Sequence, residues 1–182
     1  MAMIDDDENG MVDGEREGDL LLWILVWSEL AAFGVLLAAF LIRSLLQPEA
    51  FMLARGQLSP GLAALNTMIL LTSGWQAAVA ARDAEKARWP LVFAALGGFG
   101  FVAVKLHEYA GEMGFTGGAP VSSFFELYVL ITGFHLLHVA FGALVLLAVA
   151  LRPSRANVHL ITTLWHAIDL IWIVMFPVLY LV

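Results

Sequence analysis

The chain has 182 residues, of which 61% are hydrophobic and only 14% are charged, and its formal net charge is −7. This composition excludes an ordinary soluble domain, in which apolar residues make up roughly half of the chain. The absence of cysteine excludes disulfides and thiolate metal sites, and the absence of a basic patch argues against nucleic-acid binding. We expect an all-α integral membrane protein.

The N-terminal segment differs from the rest of the chain in charge. Between Asp5 and Asp19, eight acidic residues stand against a single Arg16. The segment also lacks a strong apolar periodicity, so we expect residues 1–19 to form a disordered, solvated tail. The acidic N-terminus and the long first apolar run are unlike a cleaved signal peptide. Residues 20–182 are expected to form one membrane domain.

Five apolar runs follow the tail, and each is long enough to cross the ~30 Å hydrocarbon core as a helix. They lie near Leu20–Ile42, Pro60–Ala81, Trp89–Ala110, Ser123–Leu151 and Leu160–Val182. With five spans, the N-terminus and the turns at 82–88 and 152–157 share one side of the membrane. That side carries six Lys and Arg residues against three on the other. The positive-inside rule therefore predicts a five-helix bundle with its N-terminus inside and its C-terminus outside.

Four ionisable side chains lie at similar depths on three of these spans. At ~1.5 Å per residue, Glu29 and Asp169 each lie roughly 14 Å from the inner side, and His138 lies roughly 20 Å from it. His166 precedes Asp169 by one helical turn on the same face. An Asp near mid-bilayer costs roughly 2.5–3.5 kcal/mol, so we expect these four residues to form one buried polar cluster, in which Glu29 contacts His138 or His166. Both a functional and a purely structural role of the His166–Asp169 pair stay open.

A second polar cluster is predicted near the outer surface. Lys105, His107 and Glu108 close the third span, and Glu126 opens the fourth. Lys105 and Glu126 each lie about 5–8 Å inside the outer ends of their helices. We therefore expect them to pair across a tight helix hairpin.

His135 and His138 form a His-x-x-His motif, which on a helix can offer two nitrogens to one metal ion. Without a third ligand this is a weak metal site, so we favour the alternative that each histidine hydrogen-bonds to a neighbouring helix. A rival interpretation from another class is a small, self-sufficient membrane metalloprotein or proton carrier. It would use His135, His138, His166 and Asp169.

Small and hydroxyl residues within the spans indicate close helix packing. Asn66 and Thr67 are expected to make interhelical hydrogen bonds. The glycines expected at helix contacts are Gly34, Gly74, Gly97, Gly98, Gly100, Gly133 and Gly142.

Several motifs resemble those of subunit III of the haem–copper oxidase superfamily. The run Thr132-Gly-Phe-His-Leu-Leu-His-Val139 with Gly142 is similar to the family motif Gly-Phe-His-Gly-x-His-Val-x-x-Gly. The run Trp165-His-Ala-Ile-Asp-Leu-Ile-Trp172 is similar to its Trp-His-Phe-x-Asp-x-Val-Trp signature. Further matches occur in order, so the resemblance extends from about residue 19 to residue 182; they are Ser28-Glu29 with Phe33, Leu65-Asn66-Thr67 and Glu108-Tyr109.

The resemblance implies a non-catalytic accessory subunit with no haem or metal of its own. Such a subunit would bind phospholipid and pack beside a catalytic, haem-containing subunit in the bacterial inner membrane. The resemblance also implies that Glu29 is the membrane-buried acid and that His138, His166 and Asp169 make interhelical polar contacts. Long members of the family have seven spans, with a lipid cleft between the first two and the other five, and this chain lacks those two.

Within the family, the small size and Lys105-Leu-His-Glu-Tyr109 look most like the NorE-type accessory proteins of nitric oxide reductase. Subunit III of a cytochrome c or quinol oxidase is the alternative.

Overall fold

The computed structural model describes the backbone of residues 5–112 and 119–181, and the side chains of residues 20, 22–111 and 123–181. The described residues form six helices, which are α1 (Asp5–Leu46), α2 (Pro48–Arg55), α3 (Pro60–Arg82), α4 (Arg88–Glu112), α5 (Ala119–Leu151) and α6 (Arg155–Tyr180). Five segments are long and apolar enough to cross a membrane, namely Leu22–Leu46, Pro60–Arg82, Arg88–Gly111, Ser123–Leu151 and Arg155–Tyr180. The predicted all-α architecture with five membrane spans is confirmed, and the orientation of the termini stays a prediction.

The first helix begins earlier than the sequence suggests. The backbone of residues 5–19 continues α1, where we expected a disordered tail. A helix that has already formed extends more readily than a new one starts. Residues 1–4 lie outside the described residues, and the division of the chain at residue 19 stays a prediction.

The short helix α2 lies in the connection between the first two spans, where the sequence analysis predicts no helix. Pro48 occupies its first turn, a position at which the missing amide N–H costs nothing. Phe51 is buried and its ring lies 5.3 Å from that of Phe40 and 5.1 Å from that of Phe124. This aromatic contact holds α2 against the ends of α1 and α5.

Helix starts follow local sequence signals. Pro60 opens α3 after Ser59, as expected. The last helix begins at Arg155, five residues before the expected Leu160, because the Ser154 hydroxyl oxygen accepts a hydrogen bond from the Asn157 amide at 3.2 Å.

The turn between α3 and α4 is closed by Asp83. Its side chain accepts the Glu85 amide at 3.1 Å and lies 3.1 Å from the Lys86 ammonium. The hydrogen bond from Lys86 holds the pKa of the Asp83 carboxyl below its usual value.

The helices α3, α4, α5 and α6 pack in a ring, in which each contacts the next and α6 closes on α3. Helix α1 lies outside this ring and packs against α5 and α6. The ring therefore contains the core, and α1 contributes side chains to one side of it.

Trp165 lies at the centre of the ring and is fully buried. Its indole N–H donates to Ser73 Oγ at 3.1 Å, and Ser73 in turn donates to the Ala94 carbonyl at 2.7 Å. A Cβ atom on Gly98 would lie 2.6 Å from the indole, and one on Gly142 would lie 3.0 Å from it. Glycine at these two positions therefore lets α4 and α5 approach α6 across the Trp165 ring.

Of the seven glycines predicted at helix contacts, four are in tight contact, and a Cβ at Gly100 or Gly133 would be in ordinary contact with the neighbouring helix, 3.7 Å from Ile69 or 3.9 Å from Tyr109. Gly74 and Gly97 are also in tight contact, with Asp169 and Ser73 respectively. Gly34 faces open space, since a Cβ at that position would have no neighbour within 4 Å. The expected interhelical hydrogen bonds are present, since Asn66 Nδ2 donates to the Phe101 carbonyl at 3.4 Å and Thr67 Oγ1 accepts from the Trp172 indole at 3.0 Å.

Candidate functional site

Glu29 and His138 form a pair between α1 and α5. Glu29 Oε2 lies 3.1 Å from His138 Nε2, and both side chains are about one quarter exposed. Helix α1 supplies the acid from the Trp27-Ser-Glu29 segment, and α5 supplies the imidazole one turn after Phe134. The sequence allowed two partners for Glu29, His138 and His166, and the structure shows that Glu29 contacts His138.

The second ring nitrogen of His138 is held by its own helix. Nδ1 lies 2.8 Å from the Phe134 carbonyl oxygen, and a carbonyl oxygen can only accept, so Nδ1 carries a proton. Nε2 faces Glu29 Oε2 at the distance of an ion pair, but Glu29 Oε2 has no hydrogen-bond partner among the described residues. The pair is therefore a polar contact between α1 and α5.

An apolar groove lies beside this pair. It has a volume of about 240 Å³, and Glu29 and His138 contribute its polar groups. The rest of its lining comes from α1, α5 and α6 and includes Leu25, Val26, Phe141, Val145, Leu164 and Ile168. The groove is therefore almost wholly apolar, with the Glu29–His138 pair at its wall.

His166 and Asp169 form a second pair, on α6. His166 Nδ1 lies 3.8 Å from Asp169 Oδ2, which is within reach of an ion pair but longer than a hydrogen bond. Asp169 is buried against α3, where its carboxylate occupies the space in which a Cβ on Gly74 would lie. Asp169 Oδ1 is buried and has no hydrogen-bond partner among the described residues.

The four residues expected to form one buried polar cluster therefore form two pairs. Glu29 and His138 join α1 to α5, whereas His166 and Asp169 lie where α6 meets α3. The expectation of a single cluster is wrong because similar depth along the membrane normal does not fix the direction in which each helix turns a side chain.

The outer polar cluster is organised around Lys105, which is fully buried. Its ammonium donates to Glu108 Oε2 at 2.8 Å, to Tyr128 Oη at 2.7 Å and to Tyr180 Oη at 2.6 Å. Tyr180 also donates to Glu108 Oε1 at 2.9 Å. Helices α4, α5 and α6 are thus joined by one hydrogen-bonded network with a buried ion pair at its centre.

The predicted Lys105–Glu126 pair is corrected by these contacts. The acid that Lys105 contacts is Glu108, one turn further along its own helix, and Glu126 is exposed. Glu126 lines a recess of about 210 Å³ together with Arg43. His107 is also exposed and lines a separate recess of about 500 Å³ beside Glu108.

Tyr128 and Tyr180 are the residues that the sequence analysis missed. A buried ammonium has three hydrogens and needs more acceptors than one carboxylate supplies at hydrogen-bonding geometry. The signal that could have identified these partners is the presence of two tyrosines near the ends of the fourth and fifth spans, at the depth of Lys105.

His135 is fully buried in an aromatic cage. Its ring stacks on Trp172 with the centroids 5.3 Å apart, and the rings of Phe33 and Phe101 meet it edge-on. Neither ring nitrogen has a hydrogen-bond partner in the described part of the chain. The expected hydrogen bond to a neighbouring helix is therefore wrong for His135. His138 hydrogen-bonds to the Phe134 carbonyl of its own helix and meets the neighbouring helix α1 only at ion-pair distance, through Glu29. Across the described residues, no three His, Asp or Glu side chains are grouped to hold a metal ion.

One family of known proteins matches this chain over nearly its whole length. The family model described as cytochrome c oxidase subunit III matches residues 18–182. The chain belongs to the cytochrome c oxidase subunit III family. The match covers all five membrane spans and both polar pairs, so the family predicted from the motifs is confirmed.

Individual relatives agree with the family model. Cytochrome c oxidase subunit 3 of Synechocystis is 34% identical over 170 residues, which cover 85% of this chain and 71% of that protein. Cytochrome c oxidase subunit 3 of Thermostichus vulcanus is 29% identical over 88% of this chain and 85% of that protein. A probable cytochrome c oxidase subunit 3 of Mycobacterium tuberculosis is 28% identical over 64% of each chain. Family membership assigns the chain the general role of an accessory subunit that crosses the membrane several times.

Proposed function

We propose that this protein is a non-catalytic accessory subunit of a haem–copper-type respiratory complex in the bacterial plasma membrane. One observation carries the proposal. The ionisable groups within the spans make contacts between helices, as in the buried Lys105 network and the partly exposed Glu29–His138 pair, and across the described residues they are not grouped to hold a metal ion. Groups arranged in this way stabilise a bundle and leave redox chemistry to a partner that holds haem.

The kind of complex is a finer part of the proposal. The relatives are called subunits of cytochrome c oxidase, which favours a terminal oxidase as the complex. The NorE-type association with nitric oxide reductase is the second candidate, favoured by the five spans and by Lys105-Leu-His-Glu-Tyr109. The two candidates share the chemistry of the partner, which is a large membrane subunit that binds haem.

Purification of the tagged full chain from its native membranes in mild detergent tests this function. We expect a haem-containing membrane subunit to co-purify and to give a Soret band that is absent from the chain purified alone. Oxygen consumption or nitric oxide consumption by the purified complex then separates the two candidates. Stoichiometric metal or a Soret band in the isolated chain would instead support the self-sufficient metalloprotein.

We also propose that the groove beside Glu29 holds an acyl chain of a phospholipid. Its lining is apolar and it opens where α1 packs on α5 and α6. Substitution of Val145 by Trp fills the groove, and we expect it to reduce the phospholipid that co-purifies. Substitution of Leu137 by Trp, on the exposed surface of the same helix, is the matched control and should leave lipid retention unchanged.

A further inference from the structure

His166 and Asp169 place polar groups at the membrane-facing surface where α3 meets α6. The His166 side chain is 47% exposed, whereas that of Asp169 is 8% exposed. Leu71 on α3 and Leu170 on α6 are each about half exposed beside them. Together with Gly74, which contacts Asp169, these residues define a surface that we call the α3–α6 face.

Depth makes the exposure of His166 unusual. His166 lies eleven residues after Arg155, where α6 begins, and at ~1.5 Å per residue this is roughly 16 Å along the helix. Lipid chains at that depth offer no hydrogen-bond partner, and an ionisable side chain facing them is costly. On α5 the exposed side chains within the span include Leu130, Leu137 and Leu144, which are all apolar. The α3–α6 face therefore differs chemically from the surfaces that suit lipid.

The orientation of the imidazole shows what a partner must supply. His166 turns Nδ1 towards Asp169 Oδ2, so Nε2, on the other side of the ring, is the nitrogen left for an outside group. Whichever ring nitrogen carries the proton, Nε2 is a hydrogen-bonding group at the surface of the helix. The polar character continues across α3, where Thr72 and Gln76 line a recess of about 360 Å³.

We propose that the α3–α6 face is the docking surface for a transmembrane helix of the catalytic subunit. That helix carries a hydroxyl or amide group, which can donate or accept, and which hydrogen-bonds with His166 Nε2. The inference rests on the proposed accessory function, because that function supplies the partner subunit.

Site-directed crosslinking tests this surface, because the chain has no cysteine of its own. Leu170→Cys and Leu137→Cys, each labelled with a benzophenone maleimide, are compared in the complex in native membranes. Leu137 is the matched control, since it is 69% exposed against 50% for Leu170. Both also lie at roughly 21–22 Å from the inner ends of their helices.

We expect the Leu170→Cys probe to crosslink to the large haem-containing subunit at least tenfold more efficiently than the Leu137→Cys probe. Equal crosslinking, stronger crosslinking from Leu137→Cys, a dimer of this chain, or adducts with lipid alone would each overturn the docking surface. Co-purification measured before irradiation distinguishes a failure of the docking surface from a failure of the proposed function. If no large subunit co-purifies with the wild type, the function fails; if it co-purifies and only the crosslink pattern differs, the face fails.

Two substitutions of His166 distinguish docking from internal packing. His166→Gln keeps a hydrogen-bonding group at the surface, whereas His166→Phe keeps the bulk of the ring and removes that group. We expect His166→Phe to reduce co-purification of the large subunit by a factor of up to roughly ten, because one hydrogen bond within a membrane contributes about that much to binding. His166→Gln should retain most of the co-purifying subunit. The isolated chains should melt at the same temperature. Equal retention of the partner by both variants, or an equal loss of thermal stability in both, would overturn the proposal.

Discussion

At the scale of single residues, the contact between Gly74 and Asp169 limits the size of the side chain that fits where α3 packs against α6. A Cβ at position 74 would overlap the Asp169 carboxylate, and overpacking of this kind costs about 1–3 kcal/mol. We expect Gly74→Ala to lower the melting temperature of the purified protein, and Asp169→Ala in the same chain to restore part of the loss. Gly34→Ala is the control, because its Cβ would meet open space. An equal melting temperature for Gly74→Ala and Gly34→Ala would contradict this contact.

Two acidic residues provide a second comparison at this scale. Asp169 is buried within a span, whereas Glu126 is exposed near the start of the fourth span. Asp169→Asn changes a group that contacts both His166 and α3, so we expect it to reduce helix packing or assembly of the complex. Glu126→Gln should have little effect on either. Thermal melts and co-purification of the large subunit measure the difference, and identical behaviour of the two variants would show that burial of Asp169 is not important.

The sequence predicted individual polar contacts unevenly. The sequence limited the partner of Glu29 to His138 or His166, because few ionisable groups lie at its depth, and the structure shows that it is His138. The partner of Lys105 was predicted wrongly because depth along the helix does not determine the direction of its side chain. Glu126 matched Lys105 in depth, yet Glu108 lies one turn away on the same face. The direction of a side chain follows from how the helices pack, and one sequence does not specify that packing.

At the scale of helices, the Lys105 network joins α4, α5 and α6 near the end of the bundle at which α6 terminates. Removing one partner of a buried ion pair leaves an uncompensated charge and costs about 3–5 kcal/mol. We therefore expect Lys105→Met to destabilise the protein strongly, because Glu108 would stay buried without its ammonium. The double variant Lys105→Met with Glu108→Met should be more stable than Lys105→Met alone. Melting temperatures in detergent test this order, and additive losses would contradict the coupling.

Removal of the Tyr180 hydroxyl is a milder test of the same network. Tyr180 connects the last turn of α6 to both Lys105 and Glu108. Tyr180→Phe removes the hydroxyl while the ring can keep its packing. Because the partners of that hydroxyl are then unsatisfied, we expect the free energy of unfolding to fall by a smaller amount, about 1–3 kcal/mol. Protease digestion near the C-terminus should become faster. A rate unchanged from the wild type would show that the network does not hold the end of α6.

Helix positions were predicted more accurately than side-chain contacts. The spans follow from apolar runs whose length matches the membrane, so four of the five predicted spans agree to within about four residues with those of the structure. The fifth begins five residues early, because the Ser154 cap lets α6 include polar residues before the apolar run. Helix α2 was missed because eight residues give little periodicity, and its burial depends on rings from α1 and α5.

At the scale of the whole molecule, the ring of α3 to α6 and the outlying α1 divide the protein into two kinds of surface. The ring is closed by Trp165 and the Lys105 network, both of which are buried. The groove and the α3–α6 face lie on its outside, where α1 or a partner subunit can cover polar groups. Stability therefore comes mainly from the interior of the ring, and we propose that lipid and protein partners associate at its edges.

The orientation of the molecule in the membrane is its last testable property. The side that holds the turns at 82–88 and 152–157 carries Arg16, Arg82, Lys86, Arg88, Arg152 and Arg155. On the other side only Arg43 and Arg55 remain, because the structure buries Lys105. The charge difference is therefore larger than the sequence alone suggested, and it favours an N-terminus inside and a C-terminus outside.

Single cysteines in a chain that has none determine this orientation directly. Gln57 lies between α2 and α3, Glu85 lies in the turn between α3 and α4, and both are exposed. In intact spheroplasts we expect a membrane-impermeant maleimide to label Gln57→Cys and to leave Glu85→Cys unlabelled until the cells are lysed. Inside-out vesicles should give the opposite pattern, which controls for intrinsic differences in thiol reactivity. Labelling of Glu85→Cys in intact spheroplasts would place the basic turns outside, and the positive-inside assignment would then be wrong.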